Sequence, residues 1–242
     1  FDFVNTNFIS HIPQLGIFQT QYSWISQFFE SDNMRQLLTY QSLYMGTSPY
    51  DCPSTFSLLQ HAEGEGVYYP KGGMNELTYA LERLCKKKNV NILTGIAVTK
   101  ITDNGKGVIL ENGNEIHGDL IVINANLAYA YNHLLPEYPS KQIDTLRLNN
   151  MSYSCSTISF YWGINHLLTE LETHALFILD DYKQSFDKIY KDFSIPDKPS
   201  IYIHIPSHID KSAAPENKSS MIVLVPVGNL KYGNINWNLK IN

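Results

Sequence analysis

The sequence predicts a mixed fold, α+β with α/β character in its middle third, and three patterns carry that reading. Apolar residues recur at helical spacing in several windows, as with Met74, Leu77, Leu81, Leu84 and Cys85. Alternation with a period of two marks Ile158, Phe160, Trp162 and Ile164, with Thr157, Ser159 and Tyr161 between them. Unbroken apolar runs, Leu120 to Ile123 and Met221 to Val225, have the composition of strands covered on both faces.

In chain order, Pro13 to Phe29 and Asp32 to Tyr44 read as helices, with Asp32 placed to cap the second. Ile12 to Phe29 is almost uncharged; because no Lys or Arg lines a polar face, burial is favoured over a place on a bilayer. A turn at Ser48-Pro49-Tyr50-Asp51 precedes a helix over Ser54 to His61. Pro70 blocks helix, and Gly72-Gly73 supply a turn that side chains would obstruct. The helix that follows from Met74 has its glutamates early and its lysines late, which suits the helix dipole. Asn91 to Thr94, Val98 to Thr102 and Val108 to Leu110 read as strands, with a turn at Asp103-Asn104-Gly105. Glu111-Asn112-Gly113-Asn114 is a hairpin turn of the Asn-Gly kind. Further on, Ile201, Ile203 and Ile205 alternate with Tyr202 and His204. Leu179 to Phe193 is helix-like, with Tyr182, Phe186, Ile189 and Tyr190 on one side, and Lys211 to Ser220 reads as an exposed loop.

Composition narrows the function. A hydrophobic content of 43% supports a true core, and 16 Tyr with 11 Phe suit a pocket for a long apolar ligand as well as ordinary packing. The net charge of −5 and the lack of a basic stripe argue against nucleic acid as a partner. Cys52, Cys85 and Cys155 are far apart and odd in number, which fits neither a disulfide framework nor a metal site and points to a reducing compartment. No apolar run reaches the length of about 18 residues that a membrane span needs.

The stretch Tyr68-Tyr69-Pro70-Lys71-Gly72-Gly73-Met74 leads into helix, strand, hairpin and a last strand ending in Asn124-Ala125-Asn126. In that order it resembles the middle of a carotenoid desaturase of the bacterial and fungal phytoene desaturase type, among the amine-oxidase-like flavoproteins. Thr47 to Tyr50, Cys155 to Trp162, Ser212 to Glu216 and Ile201 to Pro226 extend the resemblance over nearly the whole chain, Lys231 to Asn242 excepted. It implies a partial FAD-binding domain over residues 67–135, interleaved with a helix-plus-sheet substrate domain formed by 1–66 and 136–230, and an atypical tail at 231–242. The G-x-G-x-x-G fingerprint for a dinucleotide is missing; Gly64-Glu65-Gly66 and Asp103 to Gly107 have the wrong spacing. The chain is accordingly read as an internal fragment, inactive by itself.

The resemblance further implies an oxidoreductase acting on CH–CH bonds, taking phytoene stepwise towards lycopene with FAD as cofactor. Reoxidation by NAD, a quinone or oxygen stays open. It also implies an intracellular protein in peripheral contact with a membrane. Such chemistry needs an apolar tunnel and a held carbon–carbon bond more than a catalytic triad, and the catalytic residues stay unassigned. Gly72 and Gly73 are read as allowing close backbone approach to the flavin, with Lys71 beside them either at the cofactor or merely solvated. Val98 is placed by the resemblance at the adenine end of the cofactor, through its backbone. Asn124 and Ala125, with Asn126, close a buried strand where a ligand crevice is expected, or else cap the next element. Tyr161 and Trp162 are candidates for the tunnel wall. Glu63 and Glu65 would serve as acid or base if drawn into the pocket, and otherwise sit on a solvated loop. His204 reads as a structural strand histidine, and Pro206 removes any helical meaning from its spacing to His208, so no metal site is assigned. The alternatives are a related flavoprotein, such as a carotenoid isomerase or an amine oxidase, and a non-catalytic lipid-binding domain.

Overall fold

The computed structural model describes residues 16, 18–102, 105–135, 147, 148, 150–179 and 181–232. The expectations for residues 13–15 and 17, for the turn at Asp103-Asn104 and for the tail beyond 232 lie outside these residues. The chain forms two compact units: one from the residues up to Tyr79 and from Tyr153 onward, the other from Ala80–Ser152.

In the first unit, helix α1 (Gln21–Ile25) starts at Thr20, whose hydroxyl accepts the Ser23 N–H at 3.2 Å. It ends where Ser26 Oγ donates back to Tyr22 O at 2.7 Å, a local bond that competes with helix continuation. The long buried helix expected over residues 12–29 is therefore short where it is described, and Phe18 and Phe28 are exposed. Helix α2 (Asp32–Thr39) has Ser31, not Asp32, at its N-cap; Asp32 sits one position inside and pairs with Arg35 at 2.9 Å. A 3₁₀ turn over Tyr40–Met45 closes at Gly46 with φ +70, where an added Cβ would lie 2.3 Å from Ser154 Cβ. A second 3₁₀ turn, Ser54–Ser57, runs into α3 (Leu58–Gly64), so Glu63 lies on a helix and not on a loop.

Helix α4 (Asn75–Lys87) follows the glycine turn as the apolar spacing predicts, with Glu76 in its first turn and Lys86 and Lys87 in its last. Its stripe of Leu77, Leu81 and Leu84 is about half exposed, so the pattern forms the helix without being fully covered.

The second unit holds a meander of β1 (Val98–Ile101), β2 (Gly107–Leu110) and β3 (Glu115–His117), antiparallel in that order. The expected Asn-Gly turn joins the last two, with Gly113 at φ +83 and its N–H on Leu110 O at 2.9 Å. Helix α5 (Leu127–Tyr129) runs on into a π-helical turn, Ala130–Leu134. Ile101, Ala130 and Leu134 form its core, with Val108, Ile121 and Leu135 packed against them. Two expectations fail here. Asn91 to Thr94 and Leu120 to Ile123 enter no ladder, and Leu120 and Val122 are about 80% exposed. Both sequences suit strands, but a strand needs hydrogen-bonded neighbours, and none of the described residues supplies them.

The chain then returns to the first unit with β4 (Ser156–Ile164), β5 (His174–Phe177), α6 (Tyr182–Tyr190), β6 (Ile201–His204) and β7 (Ser219–Val227). The four strands make one antiparallel sheet in the order β4-β7-β6-β5. One face carries Ala175, Ile203, Val223 and Phe160 in register; Ile203 and Val223 form a core with Ile205, against which Ala175, Leu168 and Leu171 pack, while Phe160 at the edge stays exposed. The opposite face carries two cross-strand rows: His174, His204, Ile222 and Tyr161, and Leu176, Tyr202, Leu224 and Ser159. The second row packs towards α6, whose Tyr182 and Phe186 are buried with Tyr40. Burial of these three rings, with Tyr50, Leu176 and Tyr190 packed against them, stabilises this side of the sheet.

Candidate functional site

The Pro-Lys-Gly-Gly turn is built by its own backbone and held by a distant carboxylate. Gly73 N–H donates to Pro70 O at 2.9 Å, and Gly72 between them has φ +92, as position i+2 of a type II turn requires. In such a turn the N–H of that residue points outward and needs a partner of its own. Asp210 Oδ2 accepts it at 2.6 Å. Oδ1 of the same carboxylate accepts Ser212 Oγ–H at 2.6 Å and Ser212 N–H at 2.9 Å. The Ser212 hydroxyl, its N–H and the Gly72 N–H together hold the Asp210 carboxyl below the usual carboxylate range. Turn and carboxylate line an open cavity of about 920 Å³ with Tyr69, Lys71, Ile209, Lys211 and Ser212.

A second cavity, of about 830 Å³, opens on the Tyr202 row of the sheet. Leu37, Leu38 and Tyr44 from the helical side face Val67, Leu176, His174 and Tyr202, and Glu63 reaches it while accepting a hydrogen bond from Gln41 Nε2. Burial first, then Tyr44 and Glu63, pushes the Tyr202 hydroxyl up to about 12, so it stays protonated. Its oxygen is 2.6 Å from His174 Nδ1. His174 stacks on His204 with ring centroids 4.7 Å apart, and Tyr69, the residue before the Pro70 turn, meets the same His204 edge-on at 6.3 Å. Burial, and secondarily His174, lowers the His204 pKa, and its Nε2 is buried without a hydrogen-bond partner among the described residues. Glu65 is exposed beyond the end of α3.

Of the residues singled out in the sequence, Lys71 and Gly72 share the first cavity and Gly73 adjoins it. A Cβ at Gly73 would meet only Tyr69 Oη at 3.5 Å, so a group can approach this backbone closely. Val98, Asn124 and Ala125 belong to the second unit. Val98 sits at a shift in register of β1, where Thr99 is bulged out of the ladder, a device the sequence did not signal. Asn126, rather than Asn124, caps α5: its Oδ1 accepts the Tyr129 N–H at 3.1 Å. Tyr161 and Trp162 point to opposite faces of β4, so one groove can take only one of them. Tyr161 shares its face with His174, His204 and Ile222, whereas Trp162 packs beside Phe160 at 5.4 Å on the other. His208 Nε2 lies 2.7 Å from Leu168 O and makes a local structural contact. Asp210, Tyr69, Tyr202 and His174 carry no local signature, because their roles arise only through partners remote in sequence.

A family model for flavin containing amine oxidoreductases matches residues 13–200, and the chain belongs to that family. The phytoene desaturase of Neurospora crassa is 42% identical over 237 residues, covering 92% of this chain and 39% of that protein. The phytoene desaturase of Cercospora nicotianae is likewise 42% identical, and the zeta-carotene-forming phytoene desaturase of Myxococcus xanthus is 35% identical over 99% of this chain. The chain thus spans about two fifths of the length of the fungal relatives it matches. A crystal structure of a Pyrococcus furiosus protein superposes with a TM-score of 0.62 at 17% identity, over 88% of this chain and 51% of that one, a likeness of fold alone. No described helix is long and apolar enough to cross a membrane.

Proposed function

We propose that this chain is an internal part of an FAD-dependent carotenoid desaturase that dehydrogenates phytoene stepwise towards lycopene. The observation that carries this reading is 42% identity to the Neurospora crassa phytoene desaturase across 92% of the chain. The glycine turn adds physical support, since Gly73, with only Tyr69 Oη within 4 Å of an added Cβ, offers the kind of backbone a planar cofactor can approach. In this reading Lys71, Gly72 and Gly73 lie along the cofactor, Val98 meets its adenine end, and Asn124 and Ala125 border its crevice. Residues 67–135 are part of the FAD-binding domain; 1–66 and 136–230 belong to the substrate domain.

The chemistry that bound FAD supplies is acceptance of a hydride from an allylic carbon. The part of this chain's residues is to hold and shield. Leu37, Leu38, Val67, Tyr44, Leu176 and Tyr202 offer an apolar and aromatic wall that a polyene fills by displacing water. Tyr161 extends the same sheet face. Peripheral contact with a membrane would let so insoluble a substrate enter without crossing water. Expression of the full-length gene in cells that accumulate phytoene tests the proposal, with extracted pigments read by absorption and chromatography. Conjugated coloured products are expected. Unchanged phytoene beside a folded, flavin-containing protein would turn the assignment towards the amine oxidases or isomerases.

A further inference from the structure

We propose that Asp210 is a positioning residue for the glycine turn, fixing which way the Lys71–Gly72 peptide faces and hence how the turn meets the flavin. The inference rests on the reading of that turn as a flavin contact. A type I and a type II turn differ mainly by a flip of the central peptide, and glycine at i+2 permits either. Something outside the turn must therefore choose, and among the described residues the Gly72 N–H finds Asp210 Oδ2, at 2.6 Å across 138 residues of sequence. The carboxylate is itself held. Ser212 donates twice to Oδ1, through Oγ and N, so Oδ2 is left aimed at the turn. Asp210 is only 8% exposed, and the backbone around it is fixed by Asp210 N–H on Pro206 O at 2.9 Å and Ala213 N–H on Asp210 O at 3.0 Å. Three donors thus converge on two carboxylate oxygens. A carboxylate serves all three as an acceptor, whereas an amide of the same shape turns an NH₂ towards at least one of them. Lys71 and Lys211 line the same cavity, while the hydrogen bonds of this carboxylate among the described residues go to the turn and to Ser212.

The experiment uses the full-length, flavin-loaded protein with Asp210→Asn, Asp210→Ala, Ser212→Ala and Gly73→Ala. Flavin affinity, the visible spectrum and the midpoint potential of the bound flavin are measured, together with thermal unfolding. For Asp210→Asn we expect flavin held about tenfold more weakly or worse, the loss of one charged hydrogen bond, with a shifted spectrum and potential. Ser212→Ala, which keeps the link to Gly72, should do less. A variant with a lowered unfolding temperature but wild-type spectrum, potential and flavin affinity would make Asp210 structural only and overturn the proposal. Flavin lost from Gly73→Ala but kept by Asp210→Asn would overturn the positioning role while leaving the turn at the cofactor. Flavin kept unchanged by both would overturn the reading of the turn, and this proposal with it. Should Asp210→Ala fail to fold, the shape-conserving Asp210→Asn decides.

Discussion

Replacing single glycines by alanine should separate backbone strain from crowding. At Gly72 the backbone has φ +92, where an added Cβ clashes with the chain itself; the cost is about 1–3 kcal/mol. The Cβ would also lie 2.9 Å from Glu76 Cγ, but that is the middle of a flexible side chain and can yield. At Gly73 the φ is +95 and the nearest atom is 3.5 Å away, so strain acts alone. Gly64, the last residue of α3, has no positive φ and nothing within 4 Å of an added Cβ. There alanine should stabilise by roughly 0.5–1 kcal/mol through the lower entropy of the unfolded chain. Urea unfolding of the full-length variants, followed by fluorescence, should place Gly72→Ala and Gly64→Ala on opposite sides of the wild type. Midpoints that move together, or a Gly72→Ala midpoint unchanged within error, would refute the strain argument.

Other perturbations have equally definite signs. Phe186→Ala removes a ring that is 2% exposed among Tyr182, Tyr50 and Tyr190, and should cost about 3–5 kcal/mol in denaturant unfolding. Phe160→Ala, on the exposed edge strand, should cost far less. His204 is kept neutral by burial and by His174, with Tyr69 the other ionisable ring against it; its folded pKa lies below the unfolded value of about 6.5. The unfolded chain therefore binds the proton first as pH falls, so stability is present above about pH 6.5 and lost below it. His204→Gln should flatten that part of a pH–stability curve, and a curve identical to the wild type would count against the account. Finally, the 242-residue chain by itself should aggregate and bind FAD poorly. Leu120→Thr with Val122→Thr should lower its light scattering; a soluble, stoichiometrically yellow wild-type chain would contradict this.

How far the sequence carried the fold depended on whether an element's partners lie nearby in the pattern. The alternation at Ile158, Phe160 and Trp162 gave β4, and the periodicity of Leu77, Leu81 and Leu84 gave α4, because both signals are local. The same rules misread Leu120 to Ile123, where composition states a need for burial but not what provides it. Pro70 to Gly73 could be read as a turn from residue types alone, whereas its tether to Asp210 could not, since a contact between loops so distant leaves no spacing to detect. Tyr161 and Trp162 illustrate an intermediate case. Both were visible as strand aromatics, and the pleat that parts them was implied by the alternation itself.

The strand order of the first unit has a consequence for synthesis. Among the described strands β4 pairs only with β7, and β7 is the last of the four to be made. While the ribosome translates from Ile164 to Ser219, at about 5–20 residues per second, β4 waits on the order of seconds without its ladder partner. During that interval Phe160 and Trp162 stand on an open edge, and β5 and β6 can already form their hairpin-like pair. The sheet is therefore completed by late insertion of a strand between two waiting neighbours. Slow translation or a holding chaperone should matter most in this window, and a stop codon just before Ser219 should leave β4 with no described partner at all.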